Sequence, residues 1–369
     1  MKIQDITCLL EKVAPPSLQE DYDNAGLLTG NSSWECTGIV VCLDVTPAII
    51  DEALANNCNL IVAHHPVIFA GLKKITGKNY VEQTVIHAIK SDVAIYAIHT
   101  NLDNVVDGVS GKIANLLGLA NQKVLSPKKR LLQKLSVFVP STHLDAVRNA
   151  LFAAGAGSIG NYTECSFATA GSGSFMAQAG ANPYVGKMHE RHLEEEVRLE
   201  VIFPGWLQPA VLNAMKAAHP YEEVAHDLYP LVNAYHQTGS GIIGNLPHAL
   251  EEQALLQQLQ RLFKIPAIKH TALLAKPIQK VAVCGGAGSF LTRAAIAAGA
   301  HVYITADIKY HEFFDAEGQI LLVDIGHYES EQFTIDLLFD ILKQNFPNFA
   351  VLKTGVNTNP VHYFGNVAE

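Results

Sequence analysis

The sequence predicts an α/β fold built from two duplicated halves that form one domain, with a smaller ferredoxin-like α+β domain inserted between them. Three observations predict it. The stretch "GIVVCLDVTPAIIDEALANNCNLIVAHHP" (38–66) has a partner, "KVAVCGGAGSFLTRAAIAAGAHVYITADIKYH" (280–311), at a shift of 242 residues. That shift sets Cys42 on Cys284, Ala53 on Ala295 and His65 on Asp307. A second repeat, at a shift of 64, pairs "VFVPSTHLDAVRNALFAAG" (137–155) with "VIFPGWLQPAVLNAMKAAH" (201–219). Finally, 369 residues, 49% of them hydrophobic and 17% charged, describe a folded chain long enough for more than one core.

Each copy of the first repeat reads strand, turn, amphipathic helix, strand, then polar residues. In the first copy, Ile49, Ile50, Ala53 and Leu54 set the helix, and Asn59 to Ala63 form a buried strand. Pro66 cannot donate to a sheet ladder, so pairing stops there, leaving His64 and His65 at the carboxyl end of the strand. Open α/β sheets place their sites at such ends. A further strand follows each copy, "VAIYAIHTNLD" (93–103) and "QILLVDIGHYESE" (319–331), again closing on polar groups. Both halves thus point their strand ends at one place. The expected boundaries are 1–126 and 236–369 for the two halves and 127–235 for the insert, with "NQKVLSPKKR" (121–130) and "NAYHQTGSG" (233–241) as linkers. "ATAGSGSFMAQAGANPYVGKM" (168–188) reads as a long loop inside the insert.

The net charge of −9 argues against broad binding to nucleic acid, which needs a basic face. The start, "MKIQDITCLLEKV", reads as neither a signal peptide nor a spanning helix, and no apolar run approaches the roughly 20 residues a membrane span needs. The six cysteines form no CxxC pair, which suits reduced core residues and a cytoplasmic protein.

The polar endings carry the chemistry. Side chains alternate on an extended backbone, so His64 and His65 point different ways and can each serve one ion of a close pair, roughly 3.5–4 Å apart. Asp103 adds a hard oxygen, and His327 and Glu331 stand four residues apart, the spacing of one helix face. A helix is expected just after them, from Phe333, Leu337, Leu338, Ile341 and Leu342. Five groups cannot fill two coordination shells, so a carboxylate bridges and open positions remain for water or substrate. Imidazole and carboxylate suit zinc, manganese, iron or cobalt without choosing among them.

"AHHPVIF", "HTNLD", "TADIKYH" and "GHYESE", with "YDNAGLLTG" (22–30) upstream, resemble the Nif-three-like dinuclear-metal proteins, known as GTP cyclohydrolase 1 type 2 homologues. The resemblance runs over essentially the whole chain. "GNYTECSF" and "HPYEEVAHDLYPL" resemble the longer bacterial members, whose insert is similar to PII and CutA proteins. It implies two divalent metal ions on His64, His65, Asp103, His327 and Glu331, and a toroidal homohexamer with its metal sites facing the interior.

Around these groups, His99 is open between a residue that orients a ligand, a proton carrier and a structural histidine. Asp307 and Lys309 are candidates for substrate binding, Lys309 toward a phosphate, and His311 is a candidate for proton transfer. "CGGAGSF" (284–290) lacks both the full GxGxxG pattern and a P-loop lysine, and reads first as a tight turn. "DNAG" (23–26) suits a turn in which Asn24 or Gly26 takes a positive φ, and "HPYEE" (219–223) suits a structural corner.

Two functions of different class follow. The first is a metal-dependent hydrolase, which the resemblance narrows to opening the guanine ring of GTP with release of formate; Glu331, His99 and His311 would share the proton traffic, and a phosphoesterase uses similar groups. The second is a metal-bearing regulatory or scaffold protein whose insert senses a small molecule or engages a partner. A nucleotide or phosphorylated small molecule is the expected ligand, with no nucleic acid and no membrane.

Overall fold

The computed structural model describes residues 1–364 and divides the chain into two compact units, residues 1–126 with 237–369, and residues 127–236. In the first unit, the repeat becomes two sheets with the same central pattern. Strands Ile39–Cys42, Leu60–Ala63 and Ala94–Ala97 pair in parallel, with Val351–Lys353 beside the first and Gly26–Thr29 antiparallel to the last. Strands Ile278–Ala287, Val302–Ala306 and Leu321–Asp324 repeat that parallel trio, flanked by Lys269–His270 on one side and by Ala234–Leu250 and Ala120–Lys129 on the other. The halves also exchange strands. Residues 351–353 join the first sheet, and 120–129 join the second.

Five of these six parallel strands are buried along their whole length, and Ile278–Ala287 is buried at Val281–Cys284, because helices cover both faces, as parallel sheets require. Ile39, Val41, Leu60 and Val62 of one sheet share a core with Val281, Val283, Val302 and Ile304 of the other, together with helix residues such as Leu10, Ile113, Leu259 and Leu338. The opposite faces pack separately. Helices Pro47–Ala55 and Tyr80–Lys90 cover the first, and Thr292–Ala297 covers the second. A helix also occupies Thr334–Asn345, where the apolar spacing places one. The register fixes the strand ends: Cys42, Ala63 and Ala97 lie level, so Asp44, His64, His65 and His99 leave the sheet together. The N–H of His65 still donates to the carbonyl of Leu43, at 2.9 Å, which ties the exit of one strand to the next.

In the second unit, strands Leu132–Pro140, Phe167–Met176, Arg191–Pro204 and His226–Pro230 form an antiparallel sheet, and helices Leu144–Ala153 and Gln208–Ala218 connect first to second and third to fourth. The spatial order is second, third, first, fourth. Its core is Leu135, Val137, Val139, Val147, Leu151, Leu199, Phe203, Val211 and Met215. In the HPYEE corner, the N–H of Tyr221 donates to His219 Nδ1, and His219 Nε2 is 3.0 Å from the carbonyl oxygen of Phe138.

Two sequence expectations are corrected. The stretches expected as linkers are strands, Ala120–Lys129 and Ala234–Leu250. The first is an edge strand, where lysine and proline side chains are tolerated, so its composition hides its pairing. The Gly- and Ser-bearing loop begins as strand Phe167–Met176, also at a sheet edge; its residues are almost all exposed, so they carry no apolar alternation to read. All six cysteines are free, and no helix among the described residues is long and apolar enough to cross a membrane.

Candidate metal centre

His64 is fully buried at the end of its strand. Its Nδ1–H donates to the carbonyl of Ile98 at 2.9 Å, which leaves Nε2 as the bare nitrogen. That atom faces Asp103 Oδ1 at 3.7 Å and Glu331 Oε1 at 3.8 Å, too far for hydrogen bonds. Both His64 Nε2 and Asp103 Oδ1 are buried without a hydrogen-bond partner. Orphans of this kind cost about 1–3 kcal/mol each unless something satisfies them.

A second group lies on the other side of the same carboxylate. Glu331 Oε2 is 2.9 Å from His65 Nε2 and 3.0 Å from His327 Nε2. Each of these imidazoles is held from behind: His65 Nδ1–H donates to Asp44 at 2.8 Å, and His327 Nδ1–H to Asp307 at 2.7 Å. Burial opposes charge on His65, yet the bonds to Asp44 and Glu331 outweigh it and raise the imidazole to about 9. The same balance, through Asp307 and Glu331, lifts His327 to about 11. Burial likewise works against ionised Glu331, but hydrogen bonds to the histidines hold it well below the carboxylate range. Asp103 has no such donor, and burial together with the charge of Glu331 pushes it up.

The structure therefore brings all five residues named from the sequence together, as His64–Asp103–Glu331 and His65–His327–Glu331, with the facing atoms of each set within 4.8 Å of one another. Ligands about 2.1 Å from a tetrahedral ion stand about 3.4 Å apart, so both sets fit a cation with little adjustment. Cys284 lines the same cavity, but it belongs to neither set of facing donors, and burial pushes its thiol up to about 12. The donors are nitrogen and oxygen throughout, which suits zinc, manganese or iron.

His99 stands beside this centre, its ring 5.3 Å from those of both His64 and His65. Its Nδ1–H donates to Asp23 at 2.7 Å, and Asp23 also accepts from the N–H and hydroxyl of Thr100. Asp307 adopts φ +54°, accepts from His327 and remains exposed on the wall of the cavity. Lys309 and His311 are exposed and do not line the cavity; His311 packs against Tyr310 and Phe314. The cavity itself, about 1040 Å³, opens over the strand ends and is bordered by Tyr22, Phe69 and residues 359–361 and 363.

The family model of Duf34/NIF3 (NGG1p interacting factor 3) matches residues 1–360. The chain belongs to the Duf34/NIF3 family. A relative named GTP cyclohydrolase 1 type 2 homolog, from Halalkalibacterium halodurans, is 39% identical over 362 residues, 97% of each chain. The protein of the same name from Bacillus subtilis is 38% identical over 327 residues, 88% of each chain. The crystal structure of a Bacillus cereus protein related to NIF3 is similar at a TM-score of 0.86, with 36% identity and 99% of both chains covered. The mixed α/β architecture with three sheets is thus that of NIF3-like structures.

Several residues of this NIF3 site escape a reading of the sequence. Asp44 and Asp23 are two: each is a short acid at a strand end or turn, and neither shows its histidine partner in sequence spacing. Gly286 is a third. The ladder of strand Ile278–Ala287 is irregular between Val283 and Ala287, and Gly286 sits there at φ +61°. A Cβ at that position would lie 2.3 Å from Glu331 Oε1, so "CGGAGSF" is glycine-rich to let the carboxylate approach the backbone. Gly26 takes a positive φ in DNAG, as the turn reading allows.

Proposed function

We propose that the chain is a metal-dependent hydrolase of the cyclohydrolase type, holding two divalent cations between its halves' strand ends. The observation that carries this reading is the placement of Glu331, whose two oxygens face separate sets of buried donors, Oε1 toward His64 and Oε2 toward His65 and His327. His64, Asp103 and Glu331 would hold one cation, and His65, His327 and Glu331 the other. Such a pair supplies Lewis acidity and activates water near neutral pH. Asp44, Asp307 and the Ile98 carbonyl fix the tautomer and direction of the three imidazoles, which keeps their Nε2 atoms inward. His99, fixed by Asp23 through Nδ1, lines the cavity and is the residue we assign to carry a proton to or from a leaving group.

The names of the relatives point to ring opening of GTP, and the reaction belongs to this proposal. The test is turnover of GTP by anaerobically purified chain reconstituted separately with zinc, manganese and iron, following formate, with His65→Ala as the blank. Metal-dependent formate lost in the variant supports the reading; no product at confirmed occupancy sinks the GTP assignment.

The strand order of residues 127–236, together with its two helical connections, supports the ferredoxin-like, PII- or CutA-like reading of the insert. The toroidal homohexamer belongs to the same proposal, and light scattering on the full chain tests it: a mass near six times 40.0 kDa is expected, and a monomer would end it.

A further inference from the structure

The cavity that holds the candidate metal centre carries a charge pattern that bears on what enters it. Seven carboxylates line it: Asp44, Asp103, Asp307 and Glu331 around the histidines, and Glu20, Asp324 and Glu329 farther out. Among the described residues, Lys269 is the one lysine or arginine on its wall, and its ammonium is already 2.5 Å from Asp324. Even two divalent ions leave such a lining net negative. A triphosphate carries its charge on the opposite end from its base and, beyond the oxygens a bound cation would take, relies on cationic side chains or free amides to receive it.

The two glycine amides of the turn that borders the cavity are already taken. The N–H of Gly285 donates to Ser110 Oγ at 3.3 Å, and that of Gly286 to Ser330 Oγ at 3.0 Å. The helix that follows this turn, Thr292–Ala297, has six residues, too short to present a helix-terminal anion site. The cavity does offer aromatic surface beside the histidines. Tyr22 and Phe69 stand with ring centroids 6.3 Å apart, and Phe69 meets the edge of His99 at 6.2 Å. Both rings are more than half exposed, so their faces are available to a planar guest.

We propose that the substrate is an uncharged planar heterocycle seated on Tyr22 and Phe69, a base or nucleoside without its polyphosphate. This rests on the hydrolase reading above for the reaction, but the recognition can be measured without turnover. Electrostatic repulsion from the lining penalises each added phosphate, while stacking is indifferent to what hangs from the ribose. The phosphorylated ligand suggested by the sequence is thereby the disfavoured member of the pair.

The experiment is equilibrium binding of guanosine and of GTP to the full chain loaded with manganese, with the metal in slight excess so that the nucleotide does not strip the protein. Guanosine is expected to bind at least tenfold more tightly than GTP, and the gap to narrow as salt is raised and screens the carboxylates. Phe69→Ala, an exposed position, should weaken guanosine at least fivefold with metal content unchanged. GTP binding as tightly as guanosine, no binding of guanosine, or indifference to Phe69→Ala each overturns the proposal. Guanosine bound tightly yet recovered intact counts against the hydrolase reading and leaves this one standing.

Discussion

The carboxylate of Glu331 lies 2.9 Å from the imidazole of His65, a residue 266 positions earlier in the chain. One acid, the last residue of a short helix after the second sheet, thereby reaches the histidine pair that ends a strand of the first. Its other oxygen faces the buried, unpartnered Nε2 of His64. Glu331→Gln keeps the shape but removes the charge that both donor sets share. The variant is expected to lose metal from both sets together, so metal analysis after dialysis should show occupancy falling toward zero rather than to half. Retention of full occupancy would refute the shared role.

Asp44 and Asp307 act one bond farther out. Each accepts from the Nδ1–H of an imidazole whose Nε2 faces Glu331, and Thr358 donates to the far oxygen of Asp44 at 2.8 Å. Asp44→Asn and Asp307→Asn should each weaken metal affinity by roughly 10–100-fold while the chain stays folded. Competition with a chromophoric chelator measures this directly. A change below twofold in both variants would show that the imidazoles hold their orientation without these acids.

Much of the candidate site was legible because its residues sit at strand ends. The repeat shows where parallel strands stop, and the polar residues at the stops, His64, His65, Asp103 and His327, are the ones the structure gathers. What sequence spacing could not show is pairing across the fold. Asp23 with His99 and Asp44 with His65 join residues 76 and 21 positions apart, and nothing local distinguishes these aspartates from turn or cap residues. The missed strands have a related cause. Residues 167–176 and 120–129 lie at sheet edges, where backbone pairing persists although few side chains are buried, so the period-2 signal is weak.

Gly286 tests the close approach of backbone to carboxylate. A Cβ there would meet Glu331 Oε1 at 2.3 Å, and the residue's φ of +61° is left-handed. Gly286→Ala should therefore lose about 1–2 kcal/mol from backbone strain alone. Metal affinity should fall as well, because relief of the clash requires Glu331 to move. Urea denaturation with and without metal separates the two effects. A variant as stable as the parent, with unchanged affinity, would show that the irregular strand relaxes freely.

The Asp23–His99 pair makes a prediction about acid stability. Burial disfavours the charged carboxylate, but hydrogen bonds from His99 and Thr100 outweigh it and hold Asp23 at about 2. An aspartate in the unfolded chain titrates near 3.9, so the native state keeps this group ionised where the unfolded state has taken up a proton. The unfolded chain thus binds more protons between these values, and stability falls as pH falls through them. The contribution is complete above about pH 4 and is lost progressively toward about pH 2. Asp23→Asn removes this titration, so its denaturation midpoint should start lower at pH 6 and decline less steeply below pH 4 than that of the parent. Parallel acid limbs for the two proteins would mean that the pair carries no linkage, and His99 would then lack the anionic partner that fixes its direction toward the cavity.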